Sequence, residues 1–255
     1  MELRALGQTG LRISRIGLGT TKLGRNEQVK YPRPFELPTD AQVLELFAMA
    51  QRLGINLIDT APAYGSSEQK IGALLPRPDD WVIATKVGES FDRGHSRFDF
   101  SAEALRASVA RSAHLLRRER LDLVLLHCGD DDLRVLRDSG AVDSLRALQR
   151  EGRIGAIGAS TKSVEAGLLA VSLCDVVMVS FSRADRTQRP VIEAARKAGK
   201  GVLVKKPLDS GHDDAPALAL AAVLAEPGVD AAIVGTIDAG HLQENCAALA
   251  GTDRS

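Results

Sequence analysis

Apolar residues along this chain follow two alternating rhythms. Short runs rich in Val, Ile and Leu have the composition of strands buried on both faces, and longer stretches repeat their apolar residues with a helical period. The strand candidates are ISRIGLG at 13–19, INLIDTA at 55–61, WVIATKV at 81–87, LDLVLLHC at 121–128, RIGAIGAS at 153–160, DVVMVSF at 175–181, GVLVKKPL at 201–208 and AAIVGT at 231–236. Helices are expected between them, with a last one at 239–250. Their ends are marked: Thr39 and Asp40 precede AQVLELFAMAQRL, Ser101 with Glu103 opens ALRASVARSAHLL, and Gly54, Gly152 and Gly199 follow helical stretches. Ahead of the first strand, Leu3, Leu6, Leu11 and Ile13 flank the GQTG turn, the pattern of a hairpin placed to plug one end of the fold.

Eight strands with seven intervening helices and a terminal one predict an α/β fold, a (β/α)8 TIM barrel with an N-terminal β-hairpin. A doubly wound sheet usually has fewer strands. The 255 residues, 44% hydrophobic, suit one barrel-sized domain over 1–255, and no linker, low-complexity tract or repeat divides them. Two connections, 22–38 and 88–100, are longer than structure alone requires and follow strands. In this fold such loops build the active face, so their aromatic residues Tyr31, Phe35, Phe91, Phe98 and Phe100 are candidate pocket walls, unless they merely pack locally.

Charge narrows the range of partners. Lys plus Arg and Asp plus Glu each number 33, so no net field attracts nucleic acid or an anionic membrane, and a small molecule is the expected partner. Cys128, Cys174 and Cys246 form neither a disulfide framework nor a CxxC metal site, which suits a reducing cytoplasm. The N-terminus lacks the pattern of a secretory signal, and no 18-residue apolar stretch suggests a membrane span. The histidines His95, His114, His127, His212 and His241 include no HxH pair, so no metal site is expected. No pattern specifies an oligomeric state.

Candidate chemistry gathers at the strand ends. Asp59 ends the second strand, Tyr64 follows it, Lys86 ends the third and His127 the fourth. Singly, each has an ordinary structural role: a helix cap, an amphipathic core residue, a snorkelling lysine, a hydrogen-bonded histidine. Together they make a complementary group at the rim where barrel enzymes keep their catalysts. A free phenol donates protons poorly, with a pKa of about 10, and an adjacent ammonium stabilises the phenolate and is expected to lower that value. Lys86 supplies the ammonium, Asp59 holds it, and His127 orients a bound carbonyl oxygen. Nothing nearby is an obvious nucleophile, so hydride from a cofactor is the natural complement.

The segment DTAPAYGSSE at 59–68 resembles the D-T-A-x-x-Y-G-x-S-E motif of the aldo-keto reductases. ATK at 84–86, LLH at 125–127, RIGAIGAS at 153–160, PLDSG at 207–211 and GTIDAGHLQEN at 235–245 are similar to later segments of that family in order and spacing. The resemblance implies a catalytic tetrad of Asp59, Tyr64, Lys86 and His127, with Tyr64 as general acid in NAD(P)H-dependent reduction of an aldehyde or ketone to an alcohol. It implies cofactor contacts at Gly19, Thr20, Thr21, Ser160, Leu208, Ser210, Gly235, Thr236, Glu244 and Asn245, with Lys205 at the nicotinamide-stacking position and His241 near the 2′-phosphate. NADP(H) is the expected cofactor, with NAD(H) also usable.

The pattern is broken in places. Where the family usually holds the carboxamide with Ser, Asn and Gln, this chain has Ser160, Thr161 and Met178. Lys205 replaces the usual Tyr or Arg, and Gly235, Ile237 and His241 stand where NADP-preferring relatives carry cations. The chain also stops soon after its eighth helix. These departures keep an alternative open, an NADP(H)-binding regulatory or catalytically impaired member of the same fold.

Overall fold

The computed structural model describes residues 1–213 and 215–247. Eight parallel strands close into a barrel: β1 (Ile16–Gly19), β2 (Leu57–Asp59), β3 (Val82–Val87), β4 (Leu121–His127), β5 (Ile154–Ser160), β6 (Val176–Ser180), β7 (Gly201–Lys205) and β8 (Ala231–Gly235). Chain neighbours pair throughout, and β8 returns to β1 with Gly235 opposite Gly19. The fold is the expected (β/α)8 barrel. Each ladder is a little shorter than its apolar run.

Helix ends follow the local chemistry. Thr39 and Gln42 form a reciprocal capping box at the start of Asp40–Arg52, and the Ser101 hydroxyl accepts the Ala104 N–H at the head of Ala102–Leu116. Gly54, Gly152 and Gly199 adopt φ of +75°, +75° and +65° beyond their helices. Two segments depart from expectation. Between β4 and β5 there are two helices rather than one, Asp132–Asp138 and Ala141–Arg150, broken at Gly140 with φ of +68°. Residues 88–100, expected as a loop, contain an antiparallel hairpin pairing Glu89–Asp92 with His95–Phe98. The last helix spans Ala239–Ala247; its expected continuation to 250 lies outside the described residues.

Strand parity divides the core in two. Ile58, Ile83, Val87, Val124, Leu126, Val177 and Val204 point outward and pack against the helices. Leu57, Ala84, Leu123, Leu125, Ala156, Val176, Met178, Leu203, Ala231 and Ile233 fill the barrel interior. Leu6 and Ile13, from the hairpin that pairs Leu3–Ala5 with Arg12–Ser14, join the interior cluster and seal its amino-terminal end. Both are fully buried. Leu6→Ala would leave a cavity where the plug meets the barrel floor, and should lower unfolding free energy by about 2–5 kcal/mol in a urea titration. A change below about 0.5 kcal/mol would show that the hairpin is ornamental.

Candidate active site

Parity also selects the side chains that reach the open end. One step beyond interior Leu57, Ala84 and Leu125 come Asp59, Lys86 and His127, and one step beyond Leu203 comes Lys205. Ser160 stands opposite His127 in register. The inward positions of β1 and β8 are Gly19 and Gly235, so that side of the mouth carries no side chain from the strands.

Tyr64 arrives from a short helical turn, Pro62–Tyr64, and its placement is tied directly to the barrel. Thr20 donates to the Asp59 carbonyl at 2.9 Å, Ser67 donates to Thr20 at 2.8 Å, and the Thr60 and Ser67 hydroxyls lie 3.1 Å apart. Glu68, also buried, accepts from Thr85 of β3 at 2.6 Å, and burial pushes its carboxyl above the ordinary range. Gly65, with φ of +60°, is packed against Gly24 so closely that a Cβ there would lie 2.1 Å from the Gly24 carbonyl oxygen.

Lys86 is the centre of the site. Only 1% exposed, it donates to Asp59 Oδ1 at 2.5 Å, to the Thr60 carbonyl at 3.0 Å and to the Tyr64 hydroxyl at 3.1 Å. The ammonium thus has its three donors committed. Burial works against its charge, but Asp59 and Tyr64 outweigh that penalty and hold its pKa above the usual lysine value. His127 meets the Tyr64 ring edge-on, with centroids 6.3 Å apart at 88°. Burial depresses the His127 pKa, opposed by Glu89 and reinforced by Lys86 and Lys205.

One expectation is reversed. Tyr64 was expected to be acidified by Lys86, but burial raises its pKa, with Asp59 adding to the rise and Lys86 only moderating it. In the free protein the phenol therefore keeps its proton. Lys205 is pushed down to about 7 by burial and by the neighbouring Lys206 and Lys86, and it donates to Ser160 Oγ at 2.8 Å and to the Thr161 carbonyl at 2.9 Å. Met178 is buried in the barrel interior, and Thr161 Oγ1 is buried with no hydrogen-bond partner.

The other expected cofactor residues divide by availability. The Thr20 hydroxyl is consumed within the fold, and its backbone N–H and carbonyl are also engaged, by the Asp59 carbonyl and the Leu23 N–H, both at 3.0 Å. The Thr21 side chain lies near the Tyr31 and Tyr64 hydroxyls and partly offsets the burial that raises both phenol pKa values. Thr236 accepts the Asp238 N–H at 3.0 Å, Ser210 has φ of +59°, and Leu208 packs against the outer core. Asn245 is buried, whereas Glu244 and His241 are exposed on the last helix, with the His241 N–H on Asp238. The Tyr31 hydroxyl comes within 3.0 Å of where a Cβ on Gly235 would stand, so the 22–38 loop crosses the mouth.

Sequence reasoning missed Glu89. Its Oε2 lies 2.7 Å from His127 Nδ1, off the line of an ideal ring N–H bond. The signal was present in ESFDRGHSRF, where Arg93-Gly94 separates two alternating arms as a two-residue hairpin turn does. Arg25 stacks on Phe91 at 3.4 Å, joining this hairpin to the 22–38 loop. Phe98 and Phe100 line a groove of about 710 Å³ with Cys128 and Arg134, to which none of Asp59, Tyr64, Lys86 and His127 contributes. Among the described residues, no group of three or more His, Cys, Asp or Glu side chains is arranged to hold a metal ion, and no helix is long and apolar enough to cross a membrane.

The sequence model of the Aldo/keto reductase family matches residues 15–215. The chain belongs to that family. This aldo/keto reductase is 32% identical to L-galactose dehydrogenase of Arabidopsis thaliana over 226 residues, covering 83% of the present chain and 66% of the relative. It is 31% identical to the NADH-specific methylglyoxal reductase of Escherichia coli over 230 residues, with 83% and 68% covered. It thus spans about two thirds of the length of these relatives. A crystal structure assigned to the aldo-keto reductases, from Pseudomonas aeruginosa, superposes with a TM-score of 0.91 at 47% identity, covering 99% of this chain and 95% of that one. These relatives place the chain among oxidoreductases.

The Lys86–Asp59 pair predicts a measurable asymmetry in stability. Lys86→Met strands a buried carboxylate and should cost about 3–5 kcal/mol, whereas Lys86→Met with Asp59→Asn should recover much of it. Strictly additive losses in chemical denaturation would show that the pair is not coupled. Lys205 gives a pH signature. Its folded pKa of about 7 lies below the unfolded value, so the unfolded chain binds more protons between them and stability rises with pH through that window. The rise should be smaller in Lys205→Met, and identical pH–stability curves would contradict it.

Proposed function

We propose that this aldo/keto reductase reduces an aldehyde or ketone to an alcohol, with Tyr64 as general acid and NADPH as the preferred cofactor. The observation that carries the proposal is the Lys86 ammonium, held by Asp59 and donating to the Tyr64 hydroxyl in a buried mouth. A protonated phenol is the form an acid must start from, and burial keeps Tyr64 in it. As its proton moves to the substrate oxygen, the Lys86 ammonium stabilises the nascent phenolate at 3.1 Å. Asp59 keeps that ammonium charged and aimed. His127, beside the Tyr64 ring, orients the carbonyl oxygen.

The residues present fit a nicotinamide cofactor. Gly19 and Gly235 bring bare backbone to one side of the mouth, beside Ile233 and the Tyr31 hydroxyl, and the unpartnered Thr161 hydroxyl with Ser160 and Lys205 offers polar groups on the opposite side. Ser160 and Lys205 would hold the nicotinamide end, while Ser210, Thr236, Glu244 and Asn245 would hold the remainder. A reduced nicotinamide, when bound, supplies the hydride. Substrate and cofactor are the small-molecule partners of this reading, and the cytoplasm is its proposed location.

One observation favours a second reading, an NADP(H)-binding regulatory or catalytically impaired protein. Lys205 is bound back onto Ser160 and Thr161, so two groups near the expected carboxamide position are already engaged. Single-turnover oxidation of bound NADPH by a reactive aldehyde separates the two readings: oxidation supports the enzyme, and its absence supports the regulatory protein.

Tyr64→Phe should lower kcat by about 10²–10⁴-fold while leaving cofactor affinity nearly unchanged. Wild-type turnover in that variant would remove Tyr64 as the acid. The NADPH preference over NADH should stay under about a hundredfold in kcat/KM, because the terminal segment carries His241 where a permanent cation would add about 1.5–3 kcal/mol. His241→Arg should widen that preference, and a thousandfold preference in the wild type would require the 2′-phosphate to be held elsewhere.

A further inference from the structure

The proposed chemistry leaves the hairpin after β3 without a task, although it presses a carboxylate onto a residue of the proposed tetrad. Glu89 is the first residue of that hairpin, and its side chain is 12% exposed. Its two oxygens are separately committed. Oε1 accepts from Ser96 Oγ of the facing strand at 2.6 Å, and Oε2 lies 2.7 Å from His127 Nδ1. Two bare acceptors do not approach to that distance, and Glu89 is held ionised, so the proton belongs on Nδ1 although Oε2 sits off its N–H line. A neutral imidazole has only one N–H, and a proton kept on Nδ1 leaves Nε2 with a lone pair.

We infer that Glu89 is a positioning residue for His127, holding its proton on Nδ1 so that Nε2 accepts a hydrogen bond in the neutral ring and donates one only after taking a second proton. The inference rests on the proposed carbonyl chemistry for its consequence, but the tautomer itself can be observed without turnover. A carbonyl oxygen needs a donor, so His127 assists reduction as the imidazolium. An alcohol hydroxyl needs an acceptor, so oxidation uses the neutral ring. The pair therefore couples reaction direction to pH.

The charges facing His127 decide where that coupling falls. Glu89 on the hairpin favours the imidazolium, while Lys86 on β3, Lys205 on β7 and burial oppose it. Asp59 on β2 is bound to Lys86, Tyr64 after β2 keeps its proton, and Arg25 on the first loop helps hold Glu89 ionised. With the His127 pKa below the ordinary histidine value, the ring is neutral at physiological pH, Tyr64 is then the donor to a carbonyl oxygen, and His127 adds a second donor only as the pH falls.

The test is a 15N–1H correlation spectrum of the histidine side chains of the full chain at pH 7.5, with His127 assigned by the signals lost in His127→Gln. The expected result is a proton on Nδ1 in the wild type and a shift toward Nε2 in Glu89→Leu. A wild-type ring protonated on Nε2, or a tautomer unmoved by the substitution, overturns the inference. In parallel, wild-type kcat/KM for carbonyl reduction should fall by about tenfold per pH unit above the His127 pKa, and that limb should flatten in Glu89→Leu. Parallel profiles in the two proteins also overturn it. A chain that turns over no carbonyl compound with either nicotinamide cofactor would remove the proposed function, leaving the tautomer measurement to decide the pair.

Discussion

A lysine whose side chain is almost entirely removed from water loses its charge unless something nearby stabilises the charged form. Here Asp59 at 2.5 Å does so, and the Thr60 carbonyl and the Tyr64 hydroxyl take the remaining protons of the ammonium. Three groups from one strand end and the turn after it therefore converge on a nitrogen of the neighbouring strand. Asp59 and Lys86 sit at the ends of adjacent strands, and Tyr64 reaches them from the turn that follows the first of these. The burial that keeps the phenol protonated also strengthens the ammonium's pull on a phenolate, so one dry environment serves both states of the proposed acid.

Interior packing and polar mouth belong to the same strands. Leu57 and Asp59, Ala84 and Lys86, Leu125 and His127, and Leu203 and Lys205 are successive inward positions, the first of each pair sealed in hydrocarbon and the second at the rim. A two-residue step thus carries each strand from core to chemistry. A register slip of one residue would exchange Lys86 for Thr85 or Val87 and dismantle both layers together.

Much of this was legible in the sequence because it depends on local periodicity. Eight apolar runs gave the eight strands, and Asp59, Lys86 and His127 lie at run ends where strand parity alone turns them inward. Glu89 was not legible as a partner of His127, because 38 positions separate them and only the folded hairpin brings the carboxylate back over the mouth. The direction of the Tyr64 shift was missed for a similar reason: the ammonium beside the phenol is written in the chain, but the depth of burial is not. The hydroxyl of Thr20, a residue expected to contact the cofactor, is spent on the Asp59 carbonyl and Ser67, a tertiary contact with no local signature. Gly140 ended a helix inside a segment whose apolar spacing suggested a single one, since a turn with positive φ can interrupt the chain without disturbing its hydrophobic rhythm.

The proposed acid and the walls around it hang from different parts of the chain. Tyr64 is secured from beneath, through Thr20, Thr60, Ser67 and the close-packed Gly24 and Gly65, whereas Tyr31, Phe91, Phe98 and Phe100 stand on the two long excursions above it. Those excursions can vary around Tyr31, Phe91, Phe98 and Phe100 while the proton donor stays in register with its lysine, provided Gly24 and Glu89 at their roots keep their contacts with Gly65 and His127. Diversification of substrate range and preservation of the reaction then become separable inheritances, carried by segments that answer to different selective pressures.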